Sequence, residues 1–227
     1  MNNTNKAECG NAIYSNSYAD FFVEQGIILD IIRKDFGTVC EQVVNYKYSI
    51  IHLPIENTAE YIKFNYNNAM FPKLYGLMIM DNMEDIGIGR LRRLNYLNLL
   101  GKDTIIGFID TGIDYTMDVF KNADNTTRIT YIWDQTIQTG PKPKGINYGT
   151  QYSETEINEA LKSENPFEVV PSTDTDGHGS FMASIAAGNI NVEQNFTGVA
   201  PLADIMMVKL KPAKENLRDY FFIRSEE

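Results

Sequence analysis

The chain has 227 residues, 43% hydrophobic and 22% charged, which fits one or two globular domains. Its net charge of −10 argues against nucleic acid as a partner, because phosphate binding needs a basic stripe. No apolar run approaches membrane-span length, and Met1 to Lys6 lacks the basic head and apolar core of a secretory signal.

Residues 1–17 are polar and rich in Asn and Ser, and are expected to be a disordered, frayed end. Cys9 and Cys40 are too few and too unpatterned for a disulfide framework or a zinc site, and are expected as free thiols. Tyr18 to Val23 is aromatic and β-branched, a strand candidate. Apolar residues at 27, 28, 31, 32 and 36 have helical spacing, closed by Gly37. Cys40 to Leu53 is strand-like and ended by Pro54, with room for two strands and a turn near Asn45. His52 sits in its alternating pattern and reads as non-catalytic. Glu56 to Tyr66 reads as a helix with Ala59, Ile62, Lys63 and Tyr66 on one face. Met70 to Met80 is extended, and Pro72 bars it from a central strand position. Strand, helix, strand or hairpin, helix, strand is the order of a split βαβ, ferredoxin-like domain, here over residues 18–80.

Asp85 to Leu100 is amphipathic and basic at Arg90, Arg92 and Arg93, which reads as a solvated helix face. Thr104 to Ile109 is a continuous apolar run of strand length, expected to be buried on both faces of a parallel sheet. It ends in Asp110-Thr111-Gly112, so a carboxylate stands at the carboxyl end of a core strand, where ligands gather in open α/β sheets. Such an acid can hold an imidazole in one tautomer, although Asp before Gly is also ordinary turn chemistry. Arg128 to Trp133 reads as a strand, Gly140 to Gly145 as a loop, and Ser153 to Lys162 as a helix capped by Ser153 with Glu156 three residues on. Trp133 is expected to pack beside the core.

His178 lies in Asp174-Thr175-Asp176-Gly177-His178-Gly179-Ser180. Gly177 and Gly179 remove bulk on both sides of the ring, so a substrate backbone can come close. Asp174, Thr175 or Asp176 can cap a helix over Phe181 to Ala187 that Gly188 ends, placing the imidazole at a helix mouth. Asn189 to Thr197 is a polar loop, and Gly198 to Pro201 turns into the strand Asp204 to Leu210. Residues 211–227 end in charge and are expected to be disordered.

Three blocks, Gly107 to Asp114, Asp176 to Gly188 and Gly198 to Pro201 with the strand after it, resemble the subtilisin-like serine proteases (subtilases) over roughly residues 85–211. The resemblance implies an α/β fold: a partial subtilisin-like parallel sheet flanked by helices, preceded by a small α+β ferredoxin-like prodomain. Residues 18–80 would be that prodomain, which assists folding and lays its tail, near Phe71 to Leu77, in the active-site cleft as an added strand. Residues 81–227 would be the N-terminal part of the catalytic domain. By the resemblance Asp110 is the orienting acid and His178 the general base of an endopeptidase with an Asp-His-Ser triad, acting on protein or peptide substrates. It implies no resident metal or other cofactor. Calcium is compatible with the family, but no loop here offers an assignable site.

The pattern departs from the family at Ser180, usually Thr, and at Ser184, usually Gly. More seriously, no Gly-Thr-Ser-Met-Ala occurs, and the serines at 15, 17, 49, 153, 163, 172, 180, 184 and 225 lack that context. The oxyanion-hole Asn has no counterpart either. The chain is therefore expected to end before the catalytic domain is complete and to be inactive alone; the alternative is a degenerate pseudoprotease that acts as a binding or folding partner. Without a signal peptide, a subtilase is expected in the cytoplasm or inside a spore. The long interval from Asp110 to His178, with Trp133 to Thr136 and Ser172 to Asp174, is similar to the Csp-type germination proteases of anaerobic spore formers. A third reading takes Asp174, Asp176 and His178 as ligands of a divalent ion, on spacing alone.

Overall fold

The structure is a computed structural model that describes residues 3–37, 40–56, 99–189 and 196–214. The sequence-predicted helix from Glu56, the extended Met70 to Met80 segment and nearly all of the Asp85 to Leu100 helix fall at 57–98, outside the described residues. Two compact units divide the chain: residues 1–76 with 212–227, and residues 77–211.

In the first unit, helix α1 (Asn3–Tyr14) precedes β1 (Tyr18–Glu24), α2 (Ile27–Phe36), β2 (Cys40–Val43) and β3 (Tyr48–Pro54). The strand order is β1-β3-β2, with β3 antiparallel to both neighbours. That is a βαβ unit with a third strand inserted between its two strands, the arrangement called split βαβ. Period-2 residues Ala19, Phe21, Val23, Ile51 and Leu53 pack against Leu29 and Ile32, one helical turn apart on α2. The turn between β2 and β3 forms where Asn45 Oδ1 accepts the Lys47 and Tyr48 N–H groups, each at 2.9 Å.

Three expectations for this unit are corrected. Most of the N-terminus expected to fray is helix α1, with Ala12 and Ile13 buried. Cys9 and Cys40 are not free thiols; they form a disulfide that joins α1 to β2, with Cα atoms 5.1 Å apart. Neither feature has a local signal, since α1 carries no apolar stripe and is fixed by a covalent tie 31 residues away in sequence. Lys214, in the tail expected to be disordered, is buried; it donates to Ala12 O at 2.7 Å and to the Asp20 carboxylate. Asp20 Oδ1 also lies 2.6 Å from His52 Nδ1. Burial is the largest influence on Asp20 and pushes its pKa up, but the His52 hydrogen bond and the charges of His52 and Lys214 together bring it below the ordinary carboxylate value.

The second unit is a four-stranded mixed sheet in the order β4-β7-β5-β6, built from β4 (Ile105–Asp110), β5 (Ile129–Asp134), β6 (Thr150–Ser153) and β7 (Asp204–Lys209). β4 and β5 run parallel to β7, and β6 is antiparallel at the far edge. Helices α3 (Glu154–Ala160), α4 (Pro166–Val169) and α5 (His178–Ala187) complete it. The core unites Ile132, Ile205 and Met207 of the sheet with Ile157 of α3 and Ala183 and Ala187 of α5. Ser153 and Glu156 form the expected capping box at α3. Arg128 donates to Val119 O, Ala187 O and Ala203 O at 2.7, 2.5 and 2.7 Å, so a buried guanidinium satisfies the last carbonyl of α5 and two loop carbonyls beside it.

β4 is not buried on both faces as its apolar run implied. Ile106 and Phe108 pack on the core, whereas Ile105 and Ile109 are 59% and 69% exposed. Among the described strands β4 lies at the sheet edge, and no described element covers its second face. Among the described residues no helix is long and apolar enough to cross a membrane.

Candidate active site

Parallel pairing puts Asp110 opposite Lys209 at the carboxyl ends of β4 and β7, and the Leu210 N–H donates to Asp110 O at 2.8 Å. The sheet register thus fixes where the carboxylate stands. Gly112, at φ 133, then turns the chain away from the strand. His178 is the first residue of α5, so the helix begins three residues earlier than its apolar run suggests. His178 Nδ1 lies 2.8 Å from Asp110 Oδ1, and their side chains are 11% and 15% exposed. The fold brings these two residues, 68 apart in sequence, within hydrogen-bond reach. Asp110 Oδ1 also accepts the Thr111 N–H at 2.7 Å, which orients the carboxylate toward the ring. With the proton on Nδ1, the ring's lone pair is on Nε2, the arrangement a general base requires.

A second carboxylate holds the surroundings. Asp174 Oδ1 accepts from Thr111 Oγ1 at 2.8 Å and from the Gly177 N–H at 3.1 Å. Its Oδ2 accepts from the Ser180 N–H at 2.8 Å and from Ser180 Oγ at 2.7 Å. Both hydroxyls then accept in turn: Thr111 Oγ1 from the Gly179 N–H at 2.9 Å, Ser180 Oγ from the Asp114 N–H at 2.8 Å. Burial is the largest influence on Asp174 and raises its pKa, but the donors from Ser180, Thr111 and Gly177 outweigh it, and the net shift is downward. Asp174 is the cap that the sequence suggested among three candidates, although Gly177, in the left-handed region at φ 86, holds the formal cap position.

The two glycines beside His178 have different surroundings. A Cβ on Gly179 would lie 2.1 Å from Gly112 O, so this glycine lets the first turn of α5 press against the loop after Asp110. Gly177 has open space around it and supplies the positive φ.

Serines near the pair are committed elsewhere. Ser180 Oγ is used as above, Ser184 Oγ donates to Ser180 O at 2.7 Å, and buried Ser172 donates to Asp134 Oδ2 at 2.7 Å. Asp134, fully buried, also accepts from Thr136 and lies 3.6 Å from Lys209 Nζ, which donates to Thr173 O at 2.6 Å. Lys209 thereby ties the sheet end to the segment leading into Asp174. Sequence reading missed this cluster, because the contacts that join Asp134, Ser172, Thr173 and Lys209 span 36 to 75 residues in contexts that show no spacing rule. The metal reading is not assembled: among the described residues no group of three or more His, Cys, Asp or Glu side chains could hold an ion. Trp133 lines an apolar cavity of about 300 Å³ with Tyr131, Gln151, Met206 and Val208, a cavity not lined by Asp110 or His178.

Residues 101–225 match the model of the subtilase family. The chain is 32% identical over 126 residues to the subtilisin-like protease SBT2.2 of Arabidopsis thaliana, covering 48% of this chain and 15% of that protein. Among solved structures, the Clostridium perfringens CspB protease is 43% identical with a TM-score of 0.44, covering 52% of this chain and 22% of that one. The epidermin leader peptide processing serine protease of Staphylococcus aureus is 13% identical with a TM-score of 0.40, covering 88% and 44%. The chain thus spans less than half the length of each of these relatives.

Proposed function

The chain belongs to the subtilase family, and from that premise we propose that it supplies the acid–base part of a subtilisin-like serine endopeptidase. The 2.8 Å contact between His178 Nδ1 and Asp110 Oδ1, at the carboxyl end of a sheet strand, carries this reading. As a serine attacks the peptide carbonyl, His178 Nε2 takes the hydroxyl proton and later delivers it to the leaving amine. Asp110 keeps the ring in the productive tautomer and stabilises the imidazolium. We assign the nucleophile to none of Ser172, Ser180 and Ser184. That assignment is supported by the engagement of Ser172, Ser180 and Ser184 in structural hydrogen bonds. The split βαβ sheet of the first unit supports reading residues 18–80 as a subtilase prodomain.

The test is complementation. Residues 1–227 are co-expressed with a separate subtilase segment that carries the serine motif and oxyanion Asn, and hydrolysis of a fluorogenic peptide library is measured. The chain alone should hydrolyse nothing. The complemented protein should be active and lose about 10⁴-fold in kcat on Asp110→Asn, as in a Ser-His-Asp triad. Undiminished hydrolysis by His178→Ala would sink the proposal. Specific peptide binding without hydrolysis in the complemented protein would favour a pseudoprotease.

A further inference from the structure

We propose that Asp174 is a positioning residue for the Asp110–His178 pair, a carboxylate that locks the first turn of α5 in register with the loop after β4. The inference rests on the acid–base reading of that pair and extends it to a residue four positions before the base. Among the described residues Asp174 hydrogen-bonds to neither Asp110 nor His178, yet its four donors bracket both. Thr111 follows the acid directly, Gly177 precedes the base directly, and Ser180 sits two residues after the base.

The donor directions explain why a carboxylate is needed. Thr111 and Ser180 each have one hydroxyl proton, and both point it at Asp174. Their oxygens are thereby left to accept, and they accept the Gly179 and Asp114 N–H groups. A carboxylate, acceptor-only, sets the polarity of this whole chain of hydrogen bonds. An amide at the same position has one acceptor oxygen and turns an NH₂ toward groups that are themselves donors. The two orders of contact meet at the pair: β4 fixes Asp110 through its backbone, while His178 sits on a helix whose first turn is anchored through side chains. Asp174 also stands at the positive end of that helix, which favours its charge.

The test is proton NMR of the full chain with ¹⁵N-labelled histidine. The chain has two histidines, both with Nδ1 on an aspartate, so His52 in the first unit is an internal reference for His178. Asp174→Asn should speed exchange of the His178 Nδ1 proton about tenfold, equivalent to ~1.4 kcal/mol, and leave the His52 signal unchanged. Ser180→Ala should shift the same signal in the same direction by less, and Ser180→Thr, which keeps the hydroxyl, should restore it. If Asp174→Asn lowers the thermal midpoint but leaves His178 exchange at the wild-type rate, Asp174 is only a helix cap and the proposal fails. If Asp174→Asn does not fold, seen as loss of both histidine signals, the Ser180 variants decide in the same two ways. Asp110→Asn separates the two levels: a His178 signal indifferent to that change overturns the acid–base reading itself, whatever Asp174 does.

Discussion

Gly179→Ala is the most direct probe of how the site is assembled. A Cβ there would stand 2.1 Å from Gly112 O, 3.0 Å from Gly112 N and 3.1 Å from Gly112 C. All three atoms are backbone, so no side chain can rotate aside. Either α5 retreats from the loop after Asp110 or the loop itself moves. Overpacking of this kind costs about 1–3 kcal/mol, and the upper end applies where backbone must yield. Retreat would also stretch the Gly179 N–H to Thr111 Oγ1 hydrogen bond, now 2.9 Å, adding ~1 kcal/mol. The expected loss is about 3–4 kcal/mol, which lowers the thermal midpoint of the second unit by roughly 10 °C. Gly177→Ala is the matched control. It meets no atom within 4 Å but places Ala at φ 86, so its cost is the left-handed strain of ~1–2 kcal/mol. Differential scanning calorimetry of the full chain reads both. If Gly179→Ala melted within about 1 °C of wild type, or above Gly177→Ala, the close approach would be wrong. Gly179 would then be better explained as room for a substrate.

Two further outcomes follow from the folded chain. The loop closed by Cys9 and Cys40 should stabilise the first unit by about 3–4 kcal/mol, so Cys40→Ser or reduction should lower its denaturant midpoint, and an unchanged midpoint would mean the bond does not form. Asp20 and Asp174 both have pKa values below the ordinary carboxylate value, so the stability they contribute is present above the unfolded value near 4 and is lost as pH falls through their folded values. Urea unfolding between pH 6 and 3 should show this loss, and Asp174→Asn should flatten part of it; an identical acid dependence would contradict the four-donor site.

What the sequence revealed and what it hid divides by the range of the interaction. β5 and β7 were read to within a residue or two, because apolar runs bounded by turn residues report local burial. The α3 capping box was legible because all its atoms lie within four residues. β4 was located, yet its burial was overestimated, since an apolar run does not say how many faces are covered or whether the strand is at an edge. The disulfide, the Lys214 burial and the Asp134 cluster were invisible, because each depends on partners brought together only by the fold. Gly179 marks the boundary between these cases. Its identity pointed to a tight approach, but only the structure shows that the approaching group is Gly112 of the same chain.

The two aspartate–histidine pairs show why contact geometry alone does not define a site. By distance, His52 with Asp20 is the closer pair, 2.6 Å against 2.8 Å for His178 with Asp110. Their surroundings differ in what a proton can reach. His52 lies in the middle of the first unit's sheet, its side chain 4% exposed, and its Nε2 is buried with no hydrogen-bond partner among the described residues. A ring sealed in that way has no route for a proton to or from a peptide, and Lys214 already shares its carboxylate. Its task is therefore cohesion: it helps to compensate buried Asp20, as a buried charge requires. His178 begins a helix beside a loop at the carboxyl end of a parallel strand pair, the place in an α/β sheet where a ligand can approach. Sequence context had already separated the two, with His52 inside an alternating strand and His178 between glycines at a helix start. In this chain an imidazole on a carboxylate becomes a candidate base only where the strand ends and the helix begins.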